Sequence, residues 1–247
     1  AYQTAYLKAN YPAEYITALL MTNVGQSEKV ASAVTECRRL GITVLAPDIN
    51  HSQTSFSIEN SDNDTLAIRF GLTAIKNVGL GAIEPVVTER HKGGDFKSVE
   101  VLCHRCDLSG VNKRVLESLI KAGALDCLGD RGTLLHNTNR VLSLSQREQR
   151  LRETGQSTMF DLWGETMPVP LPSLDLDTTD ISIREKLALE KELMGVYLSE
   201  HPFNSFTNKI DANTTLCGQI DAELVGQNVV VAGMVASVHQ LFTRDRH

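Results

Sequence analysis

The sequence predicts an α+β fold that is mainly α-helical, and three observations carry that prediction. Apolar residues recur at helical spacing through most of residues 3–155. Two short alternating runs, TSFSIE (54–59) and TLAIRF (65–70), flank a polar NSDND and read as one small β-hairpin. Two helix–Gly–helix units come after it.

At the start of the chain, residues 3–20 have helical spacing, punctuated by Pro12. SEKVASAVTECRRLG (27–41) predicts a helix capped by Ser27, with Arg38 and Arg39 on its C-terminal dipole and Gly41 as its stop. ITVLAP (42–47) reads as a short buried strand. In the hairpin, Phe56 and Ile58 share a side with Leu66, Ile68 and Phe70. Residues 73–94 read as helix, Gly-rich break and helix, with Pro85 in the first turn of the second. Helices are predicted at 97–107, at 112–123 from Asn112 to Gly123, and as one long charged helix at 130–155. Residues 156–180, with Pro168, Pro170 and Pro172, read as a linker. A capping box, Ser182 with Glu185, opens a helix that Gly195 closes. GQNVVVAGMVASVHQLF (227–242) alternates like a strand. The opening AYQTAYLKAN has no Met or basic n-region and reads as the middle of a helix, so the sequence is expected to be cut from a longer protein.

Composition narrows the classes. No apolar run reaches the roughly eighteen residues of a membrane span, so no membrane partner is expected. Five scattered cysteines (37, 103, 106, 127, 217) suggest a reducing cytoplasm rather than a disulfide framework. Cys103 and Cys106 have CxxC spacing, but no second ligand pair follows; they read as ordinary helix cysteines, with no metal site. The net charge of −6 is uneven: residues 65–155 hold 14 Lys+Arg against 10 Asp+Glu, so the middle of the chain can face phosphate.

The first motif is Val78-Gly79-Leu80-Gly81, the apolar-Gly-apolar-Gly of a helix-hairpin-helix. Glycine allows positive φ and lets backbone approach a phosphate. The next helix presents free N–H groups and its positive dipole end, a grip on DNA backbone that reads no bases. Lys76 and Asn77 sit beside it. LIKAGALD (119–126) is a degenerate second copy whose candidates are Lys121 and Gly123, with Lys113 and Arg114 upstream. Its Ala122-Gly123-Ala124 replaces the Gly-x-Gly, and packing against the first copy is its expected role. Asp175 with Asp177, and Asp62 with Asp64, read as solvated turn residues, because catalytic carboxylates need rigid support. No catalytic residue is expected here. There is no P-loop, GxGxxG or Ser-His-Asp set, and Asp95 in a Gly-Gly-Asp loop makes a poor glycosylase base.

The last motif is QSTMFDLW (156–163). An extended peptide in a tether can bury a few anchors in a partner and offset its ordering entropy. Met159 and Phe160, helped by Leu162, would fill an apolar pocket, and Gln156 would hydrogen-bond at its rim. The other reading is cover for the protein's own core.

In order along the chain, AYQTAYLKANYPAEYITALL, ECRRLGITVLAPDIN, FGLTAIKNVGLGAIEPVV, NKRVLESLIKAGALD, EKLALEKELMGVYLSEHP and the 156–162 box resemble the alpha subunits of bacterial DNA polymerase III, the replicative C-family polymerases. The resemblance implies the end of a fingers domain (1–52) and a tandem helix-hairpin-helix DNA-binding domain (53–150). It implies a linker with a clamp-binding motif (151–180), a helical connector (181–211) and a truncated OB-fold start (212–247). It implies primer-template duplex, the sliding clamp (beta subunit) and other holoenzyme subunits as partners. It also implies template-directed DNA synthesis with Mg2+ for the parent protein, whose catalytic carboxylates lie upstream. No cofactor is expected in this segment, which is not expected to be active alone. The intact box favours the replicative over the error-prone subtype. The alternative is a non-catalytic DNA-binding scaffold of a DNA-repair protein.

Overall fold

The computed structural model describes residues 2–60, 66–154, 174–199, 214–215, 225–226 and 228–231. The chain divides into two units, residues 1–199 and 200–247.

The first unit is mainly helical with one small sheet, an α+β arrangement. Helices α1 (Tyr2–Asn10) and α2 (Pro12–Thr22) are split at Tyr11, with Pro12 at the first helical position of α2, where its missing N–H costs nothing. α3 (Ser27–Arg39) lays Val30, Ala33, Val34 and Cys37 on one buried face, against α2. Ser27 is its first helical residue rather than its cap. The cap position is Gln26, which makes no side-chain cap bond, and Gly25 before it turns the chain at φ 86°. Gly41 (φ 73°) ends the helix region as expected.

β1 (Thr43–Leu45), β2 (Ser57–Asn60) and β3 (Leu66–Arg69) form a sheet of order β1-β3-β2. The predicted hairpin is present, with Ser57 opposite Arg69 and Ile58 opposite Ile68. β1 is not a buried strand. It is an edge that pairs parallel with β3, Val44 opposite Ile68, and its three residues are exposed or half-buried. Nor do all the expected inward residues face the core. Phe56 and Phe70 are buried edge to face at 4.8 Å between centroids, and Ile68 is buried, whereas Ile58 on edge strand β2 and Leu66 at the loop end of the hairpin are exposed. Gly71 comes after β3, and a Cβ there would lie 2.3 Å from the Ser55 carbonyl carbon and 2.6 Å from the Phe56 nitrogen. Since Gly71 has an ordinary φ of −76°, any cost of Gly71→Ala is steric. We expect urea unfolding to show a loss of about 1–3 kcal/mol.

Residues 48–52 are pinned to α4 (Leu80–Gly93) and to Phe96 beyond it. Asn50 exchanges two hydrogen bonds with the Phe96 backbone (2.9 and 2.8 Å). Buried Arg90 of α4 donates to the Ile49 and Ser52 carbonyls, both at 2.8 Å, and burial pulls its pKa down. The boundary expected at 52/53 therefore falls inside a bonded loop, with sheet residues on both sides.

Beyond the sheet, a single 3-10 turn (Leu72–Ala74) stands where the first helix of the first hairpin was expected. α4 begins early enough that Pro85 lies in its interior, beyond the first turn. Pro85 cannot bond back to the Gly81 carbonyl. That side is where Gly110 packs: a Cβ there would be 3.1 Å from Gly81 O and 3.3 Å from the Ala82 Cα. α5 (Val99–Arg105) is capped by Ser98, and α6 (Lys113–Lys121) by Asn112 as expected.

The long helix expected at 130–155 is two helices, α7 (Arg131–His136) and α8 (Thr138–Glu153). Asn137 divides them. Its amide donates to the Thr133 and Asp177 carbonyls, both at 2.9 Å, and its oxygen accepts from Asp177 N. So 174–180 is no free tether. It is bonded to two helices, with Thr179 N on Thr133 Oγ of α7 at 3.1 Å and Leu174 N on Glu100 of α5 at 3.1 Å. α9 (Ile183–Met194) opens with the Ser182–Glu185 capping box and closes at Gly195 (φ 79°), both as expected.

In the second unit, β4 (Thr214–Thr215) pairs parallel with β5 (Val230–Val231). The remainder of the strand expected at 227–242 lies outside the described residues.

Candidate nucleic-acid interface

The first hairpin presents its turn differently from the glycine rule. Gly79 has φ −94°, an ordinary value, and Gly81 is helical. The left-handed position is Asn77 (φ 70°), the one non-glycine residue with positive φ among those described. Asparagine tolerates that region, and here its amide nitrogen donates to Ser118 Oγ of α6 at 3.1 Å. The turn is thereby fastened to the second hairpin.

The glycines serve access instead. No atom lies within 4 Å of a Cβ built on Gly79 or Gly81. Gly79 caps α4 without any side-chain bond, and Leu80 stands 56% exposed beside it. Ala82 N bonds back to Gly79 O at 3.2 Å, while the Leu80 and Gly81 N–H groups, at the positive end of the α4 dipole, take no hydrogen bond among the described residues. Val78 is buried, as are Ile75 and Ile83, so the hairpin stands on a rigid base. Lys76 is exposed and anchored through its own backbone, Lys76 N to Leu193 O at 3.0 Å.

The second copy is built for packing. Ala122 and Ala124 are buried, and Gly123 (φ 83°) lies under the Arg131 guanidinium, whose Nη2 would be 2.2 Å from a Cβ there. Arg131, 4% exposed, pairs with Asp126 (2.6 Å) and Glu190 (3.2 Å). Burial opposes its charge, but the Asp126 and Glu190 bonds hold its pKa above the ordinary value. The N-terminus of α6 is already occupied, since Asn112 Oδ1 accepts from Val115 N at 3.0 Å. What α6 offers outward is charge: Lys113 and Arg114 are exposed in its first turn. Lys113 and Lys121 both reach toward Glu117 (3.9 and 3.8 Å). Arg114 has no ion pair among the described residues. The structure thus brings together Asn77, Gly79, Leu80, Gly81, Lys113 and Arg114 through the Asn77–Ser118 bond and the Gly110–Gly81 contact, and leaves Gly123 covered. Sequence reading missed Ser118 and Gly110. Nothing local marks a serine in a buried helix face or a lone loop glycine as a hairpin fastener.

Cys103 and Cys106 are buried, and burial pushes both thiols up to about 12. His91 is exposed. Among the described residues no three His, Cys, Asp or Glu side chains gather as a metal site. Asp175 and Asp177 are exposed, and Asp177 pairs with Arg140 at 2.9 Å. No helix among the described residues is long and apolar enough to cross a membrane. Gln156, Met159, Phe160 and Leu162, like Asp62 and Asp64, lie outside the described residues.

Residues 41–134 match the helix-hairpin-helix motif family. The match takes in β1 and the 48–52 loop, as the bonded structure does. The chain is 38% identical over 249 residues to DNA polymerase III subunit alpha of Thermus aquaticus, covering 99% of this chain and 19% of that protein. It is 36% identical over 262 residues to the Saccharopolyspora erythraea subunit (100% and 21%). Against the Escherichia coli K12 subunit it is 34% identical over 248 residues (99% and 21%). The chain spans about a fifth of the length of these relatives, and along the whole of its own length it is a homologue of DNA polymerase III subunit alpha.

Proposed function

We propose that this segment holds duplex DNA by its sugar-phosphate backbone within a replicative DNA polymerase, and tethers that polymerase to its sliding clamp. The observation that supports the first half is the uncapped N-terminus of α4, open at Gly79 and Gly81, next to Lys113 and Arg114. Outward N–H groups take one phosphate, and the two cations neutralise neighbours without reading sequence. The tether rests on the residue pattern Gln156, Met159, Phe160, Leu162. We assign nucleotidyl transfer, its Mg2+ ions and contacts with other holoenzyme subunits to parts of the polymerase outside this segment. A cytoplasmic location follows from that role.

Gly81→Glu tests the grip. The new side chain meets open space, and a carboxylate in the first turn suits the dipole of α4, so the melting temperature holds. Duplex affinity, read by fluorescence anisotropy, falls at least about tenfold, because the carboxylate stands where phosphate would sit. In Lys113→Ala/Arg114→Ala the salt slope of binding drops by about two, equally for unrelated sequences. Unchanged affinity in Gly81→Glu removes the hairpin from the interface.

A further inference from the structure

Helix α8 carries a second surface that DNA holding does not use. Arg140, Ser143, Leu144 and Arg147, with Leu174 and Asp175, line a groove of about 560 Å3. Ser143, Arg147, Arg150 and Leu151 line a second of about 420 Å3, and the shared Ser143 and Arg147 make the two continuous. Spacings of three, four and seven residues place this stripe on one side of the helix. Its charge is partly spent. Arg140 is paired with Asp177 at 2.9 Å, but Arg147 and Arg150 have no ion pair among the described residues. Arg152 belongs to another side, donating to the Cys106 and Cys103 carbonyls at 2.7 and 3.0 Å. Glu153 is engaged by Gln149 at 2.9 Å.

Two exposed guanidiniums over a leucine-lined groove complement an acidic surface with aliphatic edges, since the planar fork takes carboxylates two-pronged. Phosphate backbone suits the groove less, since the leucines that line it offer a phosphate no donor while they can pack on the aliphatic edges of a protein surface. Position favours the same kind of occupant. Arg150 is six residues from Gln156, a span of at most about 20 Å. We propose that the α8 stripe is a second docking surface for the sliding clamp, taking an acidic patch beside the pocket that receives Met159 and Phe160. This rests on the clamp reading, and short tethering would add the second contact's free energy to the first.

The test is calorimetric titration of the 247-residue chain with a bacterial sliding clamp. In Arg147→Glu/Arg150→Glu we expect affinity roughly tenfold lower, with a smaller loss in the Gln pair and in high salt. Both positions are exposed, and an unchanged thermal melt confirms folding. If Met159→Ala/Phe160→Ala weakens the clamp but the charge reversal leaves affinity and salt dependence within twofold, the stripe is overturned and the box stands. If the box variant binds like the parent, both readings fall. A loss of duplex affinity with clamp affinity intact gives the stripe to nucleic acid and overturns the proposal. So does a shift in emission of Trp163, the only tryptophan, in the free charge-reversed chain with clamp affinity intact, which gives the groove to the chain's own residues 155–173.

Discussion

Replacing Glu190 by alanine is expected to lower the unfolding free energy by about 3–5 kcal/mol. Glu190 is 1% exposed. Its carboxylate accepts from Arg131 Nη1 at 3.2 Å, from the Leu198 and Ser199 N–H groups, each at 3.2 Å, and from the Ser199 hydroxyl. Truncation leaves the 4%-exposed Arg131 with Asp126 as its one ion-pair partner beside a 3.4 Å bond to the Lys121 carbonyl, and orphans the backbone donors at once. Arg131 also roofs Gly123, so the loss reaches the turn after α6. Urea unfolding followed by circular dichroism reads the change. The double variant Arg131→Met/Glu190→Met recovers part of it, because no buried charge is then left unpaired. A loss under about 1 kcal/mol for Glu190→Ala would show that the network is solvated in solution.

The second large effect is on association. Met159→Ala with Phe160→Ala is expected to cost about 2–4 kcal/mol of clamp affinity, roughly 30- to 800-fold in Kd. A short peptide motif concentrates its binding energy in its few buried anchors, so removing two of them removes most of it. Gln156→Ala, at the pocket rim, should cost less. Duplex binding by the same variant stays unchanged, which separates tether from grip. Calorimetry that finds clamp binding intact sinks the tether.

How much was legible in the sequence depends on how local each determinant is. The Ser182–Glu185 capping box and the Asn112 cap are contacts within three residues, so residue type at fixed spacing revealed them. The break at Asn137 depends on Asp177, forty residues away, so a helical pattern ran through it unmarked. The same holds at the hairpin. The motif pointed to the right loop, but positive φ was assigned to glycine, the residue that adopts it most easily. Asn77 takes it instead because Ser118 of another helix holds its side chain. The edge position of β1 was hidden because short apolar runs look alike whether one or both neighbours are present. The weakness of the second hairpin was visible in Ala122-Gly123-Ala124; that an arginine sits on it was not.

The parallel pairing of Thr43–Leu45 with Ala67–Arg69 has a mechanical meaning. A ladder of amides shears far less readily than a flexible joint bends. With Arg90 and Asn50 bracing the neighbouring 48–52 loop, the amino-terminal helices and the hairpin turn should swing as one lever, so that a load on either is carried to the other.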